Sequence, residues 1–367
     1  MIVKNLTLDY FRNYVHLDAS FDARMNLIYG DNAQGKTNLI EALEYLSCGR
    51  THRARYDKEL ILFNVDDAFL RADVETHGRT VTLEAQLSRG KSRVLRANGV
   101  RLRSAGELSG HLTTVLFSPS DLDLIRAGGA ERRRFLDMAI CQLRPRYAQA
   151  LAEYNRLYEH KTRILRDWPD DPSLLGTLDD FDLRMAQTGA LIIHYRAHFI
   201  RRLLDFAPAI HADFSGGNEA LSLTYETVST VTDPLAPAKT ILDALLAHQA
   251  SHRQAELDAR QCLSGPHKDD LTVLLGGVSA RTYASQGQTR TAALSLKLAQ
   301  RELFRQDTGE WPVLLLDDVL SELDPRRQAF VLNRIRGGQT FITCCEQDKL
   351  DVLEGGRAFR ICGGTLK

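Results

Sequence analysis

The chain has 367 residues, 44% hydrophobic and 26% charged, which excludes global disorder, collagen-like repeats and low-complexity sequence and leaves room for two or three lobes of about 150 residues each. Lys+Arg and Asp+Glu both number 47, so any polyanion must be met by a local patch and not by bulk charge. Of the 47 cations 37 are arginine, whose planar fork suits phosphate, although GC-rich coding or surface ion pairs explain the same bias. Six cysteines show no CxxC spacing, so neither a zinc site nor a disulfide framework is expected. No apolar run approaches the roughly 18 residues of a membrane helix, and the start lacks a basic stretch followed by an apolar one. A cytoplasmic protein without membrane insertion is expected.

Two short strands, around Ile2–Leu8 and Phe21–Ile28, feed a glycine-rich turn at Gly30, and Leu39, Ile40, Leu43 and Leu46 then recur at helical spacing. From Phe69 to Leu102 the pattern returns to period two, ending in a hairpin about Asn98-Gly99, which makes an antiparallel edge sheet. Ala130 to Trp168 is helical, broken at Pro145, and Leu178 to Phe206 forms the second arm of a helical hairpin. Pro208 to Lys239 reads as loop with one strand near Leu221–Tyr225, followed by a helix over Ile241–Cys262. Strands at Leu271–Leu275, Val313–Leu316 and Thr340–Thr343, with a helix over Thr289–Arg305, resume a sheet. The expected fold is therefore α/β: residues 1–125 and 262–367 share one lobe, and 126–261 form an inserted, mainly helical lobe.

Gly30, Asp31, Asn32, Ala33, Gln34, Gly35, Lys36 and Thr37 satisfy G-x-x-x-x-G-K-[ST] between a predicted strand and a predicted helix, the setting a phosphate loop requires. Backbone N–H groups wrap the phosphates, Lys36 meets the β/γ oxygens, and the Thr37 hydroxyl is offered to Mg²⁺. Asn38 completes the set at the first turn. Val313–Leu316 is an apolar strand ending in Asp317 and Asp318, where Asp317 would hold the metal shell and Asp318 would orient or deprotonate the attacking water. Ser285-Gln286-Gly287-Gln288 opens a helix, either as another anion-binding end or as a plain Ser285 N-cap. Between Arg79 and Arg103 seven cations face one acid, Glu84, so a DNA-phosphate surface at Arg89, Lys91, Arg93 and Arg96 competes with a solvated hairpin face. Arg132–Arg134 at a helix start call for carboxylates or phosphates nearby.

Six ordered blocks span the chain: Tyr10–Tyr14, Gly30–Thr37, Leu116–Pro119 with Arg132–Asp137, Gly265–Asp270, Ser285–Gln288 and Leu315–Asp324. Together they resemble the RecF family, in the SMC/Rad50-like branch of the ABC-type ATPases. The resemblance implies an ABC-type ATPase head with a P-loop sheet and an antiparallel edge sheet. It also implies an ATP- and Mg²⁺-dependent homodimer that binds duplex DNA near single-strand junctions, with RecO and RecR as partners and RecA loading as the outcome. On it, Gly30–Thr37 is the Walker A loop, Asp317 and Asp318 the Walker B pair, Ser285, Gly287 and Gln288 belong to the signature motif, and Arg12 and Asn13 lie near the nucleotide base. Asp318 stands where most ABC ATPases carry Glu, which implies slow hydrolysis, and no histidine occupies the switch position after Thr343. A non-hydrolysing ATP-gated scaffold and a membrane-transport motor are the rival readings.

Overall fold

Strand β1 (Ile2–Phe11) buries Val3, Leu6, Leu8 and Phe11, and its alternation slips twice: between Val3 and Leu6, where a bulge against a neighbouring strand absorbs the extra residue, and between Leu8 and Phe11, where Tyr10 has left-handed backbone. β2 (Tyr14–Ser20) returns antiparallel beside it, and β3 (Met25–Tyr29) leads through the glycine loop into α1 (Lys36–Cys48). β4 (Asp67–Thr76), β5 (Arg79–Ser88), β6 (Lys91–Ala97) and β7 (Val100–Arg101) continue the antiparallel sheet in the order β2-β1-β4-β5-β6-β7. Asn98 and Gly99 turn the last hairpin with φ of 50° and 77°, the left-handed pair that a two-residue turn demands. β8 (Thr114–Phe117) is buried throughout.

α2 (Asp123–Arg126), α3 (Gly129–Leu143), α4 (Pro145–Asp167), α5 (Leu178–Leu203), α6 (Ala207–Ser215), β9 (Leu221–Glu226) and α7 (Ala238–Ala259) follow. Pro145 sits in the first turn of α4, where its missing N–H costs nothing, so it starts a helix and does not kink one. β10 (Asp270–Leu275), β11 (Val278–Ser279) and α8 (Ala280–Tyr283) precede the long α9 (Gln286–Thr308). The chain closes with β12 (Val313–Asp317), α10 (Pro325–Arg334), β13 (Thr340–Cys344), β14 (Arg357–Cys362) and β15 (Thr365–Leu366).

The computed structural model describes residues 1–335, 337–345 and 356–366. They divide into two units, Met1–Asp121 with Leu294–Lys367, and Leu122–Ala293. In the first unit a second sheet has the order β15-β14-β3-β13-β12-β8, parallel except for the terminal β14–β15 hairpin. Both sheets contribute to one core that also takes in Leu39, Ile40, Leu43 and Leu46 of α1.

In the second unit α4, α5 and α7 pack around a buried ionic centre. Lys161 donates to Asp182 at 2.6 Å and to Glu256 at 2.5 Å, and Glu256 also accepts the Leu263 amide. Gly265–Asp270 is wired beside it: Arg196 meets Asp137 at 2.8 Å and Asp269 at 3.0 Å, while Arg132 forks onto Asp270 at 2.6 and 2.8 Å. Arg132 is thus spent on a carboxylate. His267 accepts from the Tyr154 hydroxyl and donates to the Cys262 carbonyl, a packed imidazole.

Three expectations need correction. Leu271–Leu275 does not join the P-loop sheet but pairs with β9 in a three-stranded sheet, so the second unit extends to Ala293 and not to residue 261. Period two reveals a strand but not its partner. Residues 208–239, read as loop with one strand, contain most of α6. β8 and β14, which flank the P-loop sheet, were not foreseen. No helix among the described residues is long and apolar enough to cross a membrane.

Candidate nucleotide and nucleic-acid sites

Parallel pairing brings the carboxyl ends of β3, β13 and β12 to one edge, with Asp317 opposite Thr343 and Cys344 opposite Tyr29. The loop leaving β3 is shaped by backbone that only glycine tolerates. A Cβ on Gly30 (φ 148°) would lie 2.4 Å from the Ile361 carbonyl oxygen, and one on Gly35 (φ 117°) 2.7 Å from the Asn13 amide. No side chain caps the start of α1, which leaves its first amides oriented for an anion.

The loop is held from two directions. Asn13 donates to the Gln34 carbonyl at 2.9 Å and accepts from Asn38 at 2.8 Å, while the Tyr14 hydroxyl donates to the Gly35 carbonyl at 2.8 Å. From the β14–β15 turn, the Gly363 amide reaches the Gln34 side chain at 2.6 Å and the Gly364 amide its carbonyl at 3.1 Å. Lys36 lies back over the loop on the carbonyls of Gly30 and Asp31, at 2.5 and 2.9 Å. Cys345, just past the end of β13, donates to Asn32 at 3.1 Å and sits 3.8 Å from the Lys36 nitrogen.

The acid pair meets the loop directly. Thr37 donates to Asp317 at 3.0 Å, and Thr343 donates to the same carboxylate oxygen at 2.8 Å while accepting the Asp318 amide at 2.8 Å. Burial pushes the Asp317 carboxyl above its usual range, opposed by those two hydroxyls and by the charges of His52 and Arg53. Asp318 has left-handed backbone, φ 54°, and its carboxylate is held by the Ser321 hydroxyl at 2.9 Å. The Thr37 hydroxyl and the Asp317 carboxylate are oxygen donors of the kind Mg²⁺ takes, so the donor set fits that ion.

Arg12 does not contact the loop. It forks onto the buried Glu41 of α1 at 2.9 and 2.7 Å and donates to the Glu59 carbonyl at 2.8 Å. Glu41 also takes Thr51 at 3.0 Å and Arg53 at 3.5 Å, and Arg53 donates to Asn38 at 2.9 Å. Glu41, Arg53 and Thr343 were missed in the sequence, because nothing local marks them. Only the strand order and the return of the chain over α1 bring them here.

In the second unit Ser285 and Gln288 form a reciprocal capping box: the Ser285 hydroxyl accepts the Gln288 amide at 3.2 Å, and the Gln288 side chain accepts the Ser285 amide at 2.7 Å. Gln288 is further tied to Glu219 at 2.6 Å. The N-cap reading of Ser285 therefore describes its hydrogen bonding, and Gly287 lies in the first turn of α9.

Two of the four hairpin cations are engaged by the protein itself, which weakens the DNA-phosphate expectation for them: Arg93 is half-buried, and Arg89, though exposed, is bound to loop carbonyls. Arg93 donates to the Gly49 carbonyl at 2.6 Å and the Tyr45 hydroxyl at 3.1 Å and pairs with Asp57 at 3.2 Å. Arg89 donates to the Val65 carbonyl at 2.7 Å and the Leu62 carbonyl at 3.2 Å. The arginine side chain is long enough to reach from the β5–β6 turn, or from β6, across to the neighbouring loop carbonyls. Lys91 is exposed, and Arg96 stands between Glu84 and Arg101 in the ladder.

A model of the RecF/RecN/SMC N terminal domain family matches residues 2–357. The DNA replication and repair protein RecF of Agathobacter rectalis is 41% identical over 349 residues, 95% of this chain and 93% of that protein. The chain belongs to the RecF family. A solved structure of the recombination mediator protein RecF-ATPrS in the RecFOR pathway superposes with a TM-score of 0.91 at 34% identity, covering 100% of this chain and 97% of the other. The Smc head domain of Pyrococcus furiosus bound to the C-terminal domain of ScpA, at TM-score 0.54 and 15% identity over 100% of this chain and 95% of that one, shares the fold. The expected α/β ABC-type ATPase head with an added helical lobe is therefore the architecture of the chain, and the transport-motor reading falls.

Proposed function

We propose that this RecF-family chain is an ATP-driven clamp on DNA, in which nucleotide closes two copies around the duplex and slow hydrolysis releases them. The observation that carries the reading is the 3.0 Å hydrogen bond between Thr37 of the glycine loop and Asp317 at the end of β12, which joins a phosphate cradle to a buried acid at one sheet edge. The related RecF-ATPrS structure supports a nucleotide at the loop. Lys36 exchanges its loop carbonyls for β/γ oxygens, and Thr37 with Asp317 would hold Mg²⁺. That ion, when bound, neutralises charge on the transferring phosphoryl group. Asp318, positioned by Ser321, orients the attacking water and accepts its proton; as a carboxylate one methylene shorter than Glu, it does so slowly. Glu41 sets Arg12 beside α1, on the base side of the loop.

The capping box leaves the Ser285 hydroxyl proton for an outside acceptor, so the start of α9 serves the triphosphate held by a second copy. Lys91 and Arg96 contribute sequence-independent phosphate contacts. RecO and RecR are the partners that fit the RecFOR pathway named for the related structure, with RecA loading at gaps as the outcome. Retention of junction DNA by the chain under ATP, ADP and no nucleotide tests the reading, with Lys36→Arg as the control. ATP-dependent retention that the variant loses is expected, and equal retention in all three states refutes it. Phosphate release in the same samples separates the clamp from a non-hydrolysing scaffold, which would give none.

A further inference from the structure

The long connection between α1 and β4, whose regular structure is one short 3-10 turn over Asp57–Leu60 and a bridge from Ile61 to Phe11, is heavily braced. Buried Glu41 and Glu44 of α1 take Thr51 and His52, Arg93 holds Gly49 and Asp57, Arg12 holds Glu59, and Arg89 holds Leu62 and Val65. Backbone bonds add to this: the Arg12 amide donates to the Leu60 carbonyl at 2.7 Å and the Leu62 amide to the Tyr10 carbonyl at 2.8 Å. Around Tyr56 the braced segment presents aromatic and cationic groups to solvent, while Glu59 and, beyond Phe63, Asp66 and Asp67 are exposed as well. Tyr56 is 51% exposed with the Arg55 guanidinium 5.3 Å and the Lys58 ammonium 5.4 Å from its ring centre, and Phe63 is 85% exposed. Tyr10, 43% exposed, adjoins through the Leu62 pairing.

We propose that this connection is a platform for unpaired nucleotides, on which Tyr56 and Phe63 stack bases while Arg55 and Lys58 hold the flanking phosphates. The inference rests on the reading that the chain binds DNA and adds where a single strand would lie. Exposed rings at fixed positions stack any base with little ordering cost, and cations within one nucleotide of a ring match the backbone spacing of a single strand. Protein-docking faces also gather aromatic rings and arginine but are depleted in lysine, so the Lys58 ammonium beside the Tyr56 ring favours a phosphate-bearing strand. The bonds of Arg89 and Arg93 to the segment's carbonyls fit the same division of labour: those two arginines hold the platform, and others meet the phosphates.

The test compares a labelled duplex carrying an oligo-dT overhang with the same duplex blunt-ended, by fluorescence anisotropy with ATP present. Tyr56→Ala or Phe63→Ala alone is expected to weaken overhang binding about 5- to 150-fold, the range that about 1–3 kcal/mol per stacked base gives at 1.4 kcal/mol per tenfold, and the two together by at least about 25-fold, leaving blunt-duplex binding within about twofold. Tyr56→Trp should retain the overhang preference. Lys58→Gln should lower the salt slope on the overhang by about 0.7. Ultraviolet crosslinking of iodouracil in the overhang should label Tyr56 or Phe63. Equal losses on both substrates, or none, would overturn the platform, as would intact overhang binding by a double variant that has lost a protein partner. Wild-type chain that binds neither DNA rejects the clamp reading itself, whereas wild-type chain that binds blunt duplex with no overhang preference rejects the platform alone.

Discussion

Replacing Arg93 by Met separates a bracing arginine from a DNA-contacting one. Arg93 donates to the Gly49 carbonyl at 2.6 Å and the Tyr45 hydroxyl at 3.1 Å, and its ion pair with Asp57 at 3.2 Å is about one-third exposed on both sides. Two hydrogen bonds from a charged donor are worth about 1.5–3 kcal/mol each when buried, and a partly exposed pair about 0–1 kcal/mol. The methionine keeps most of the packing of the aliphatic stem, so the expected net loss is about 3 kcal/mol. For a unit of roughly 200 residues each kcal/mol moves the transition by about 2–4 °C, which puts the change near 6–12 °C in scanning calorimetry. The salt slope of DNA binding, measured well below that transition, should not change. A slope lowered by about 1 with no thermal shift would show that Arg93 faces phosphate and that its inward placement is wrong.

Thr343→Val keeps the shape of a buried side chain and removes the donor to Asp317 together with the acceptor of the Asp318 amide. ATP hydrolysis should fall about 10- to 150-fold with nucleotide binding reduced far less, and turnover within twofold of wild type would refute the positioning role. Burial pushes the His267 imidazole down to about 4 against about 6.5 unfolded, so the unfolded chain binds a proton that the folded one does not. Stability should therefore fall as the pH drops from about 6.5 to about 4, by roughly 3 kcal/mol at the limit, and His267→Gln should flatten denaturant midpoints across that window. An unflattened profile assigns the acid sensitivity elsewhere. Ser285→Arg should spare nucleotide binding by the isolated chain yet block ATP-driven association, read by fluorescent-nucleotide titration and light scattering; association at wild-type levels would sink the two-copy geometry.

The phosphate loop was legible because its glycines, lysine and threonine are local in sequence and the flanking periodicities change from strand to helix around them. The Asn98-Gly99 hairpin was legible for the same reason, since a left-handed pair leaves a short-range signature. Thr343 was not, because its role exists only through the parallel register that sets it against Asp317 across two strands. Glu41 reads as an ordinary polar position on α1 until Arg12 and Arg53 converge on it from segments before and after the loop. The cation count of the β5–β7 region did not reveal that Arg89 and Arg93 bond to nearby carbonyls, since charge alone gives no direction for side chains that long. Leu271–Leu275 shows the remaining limit: alternation identified the strand and left its sheet undetermined.

The shared triphosphate is tested most directly by sedimentation velocity of the chain over a range of concentrations with ATP and Mg²⁺, with ADP and Mg²⁺, and with neither. A dimer that forms with ATP, and is lost both with ADP and in the Lys36→Arg variant, is the expected result. A single copy in every nucleotide state and at every concentration would contradict it.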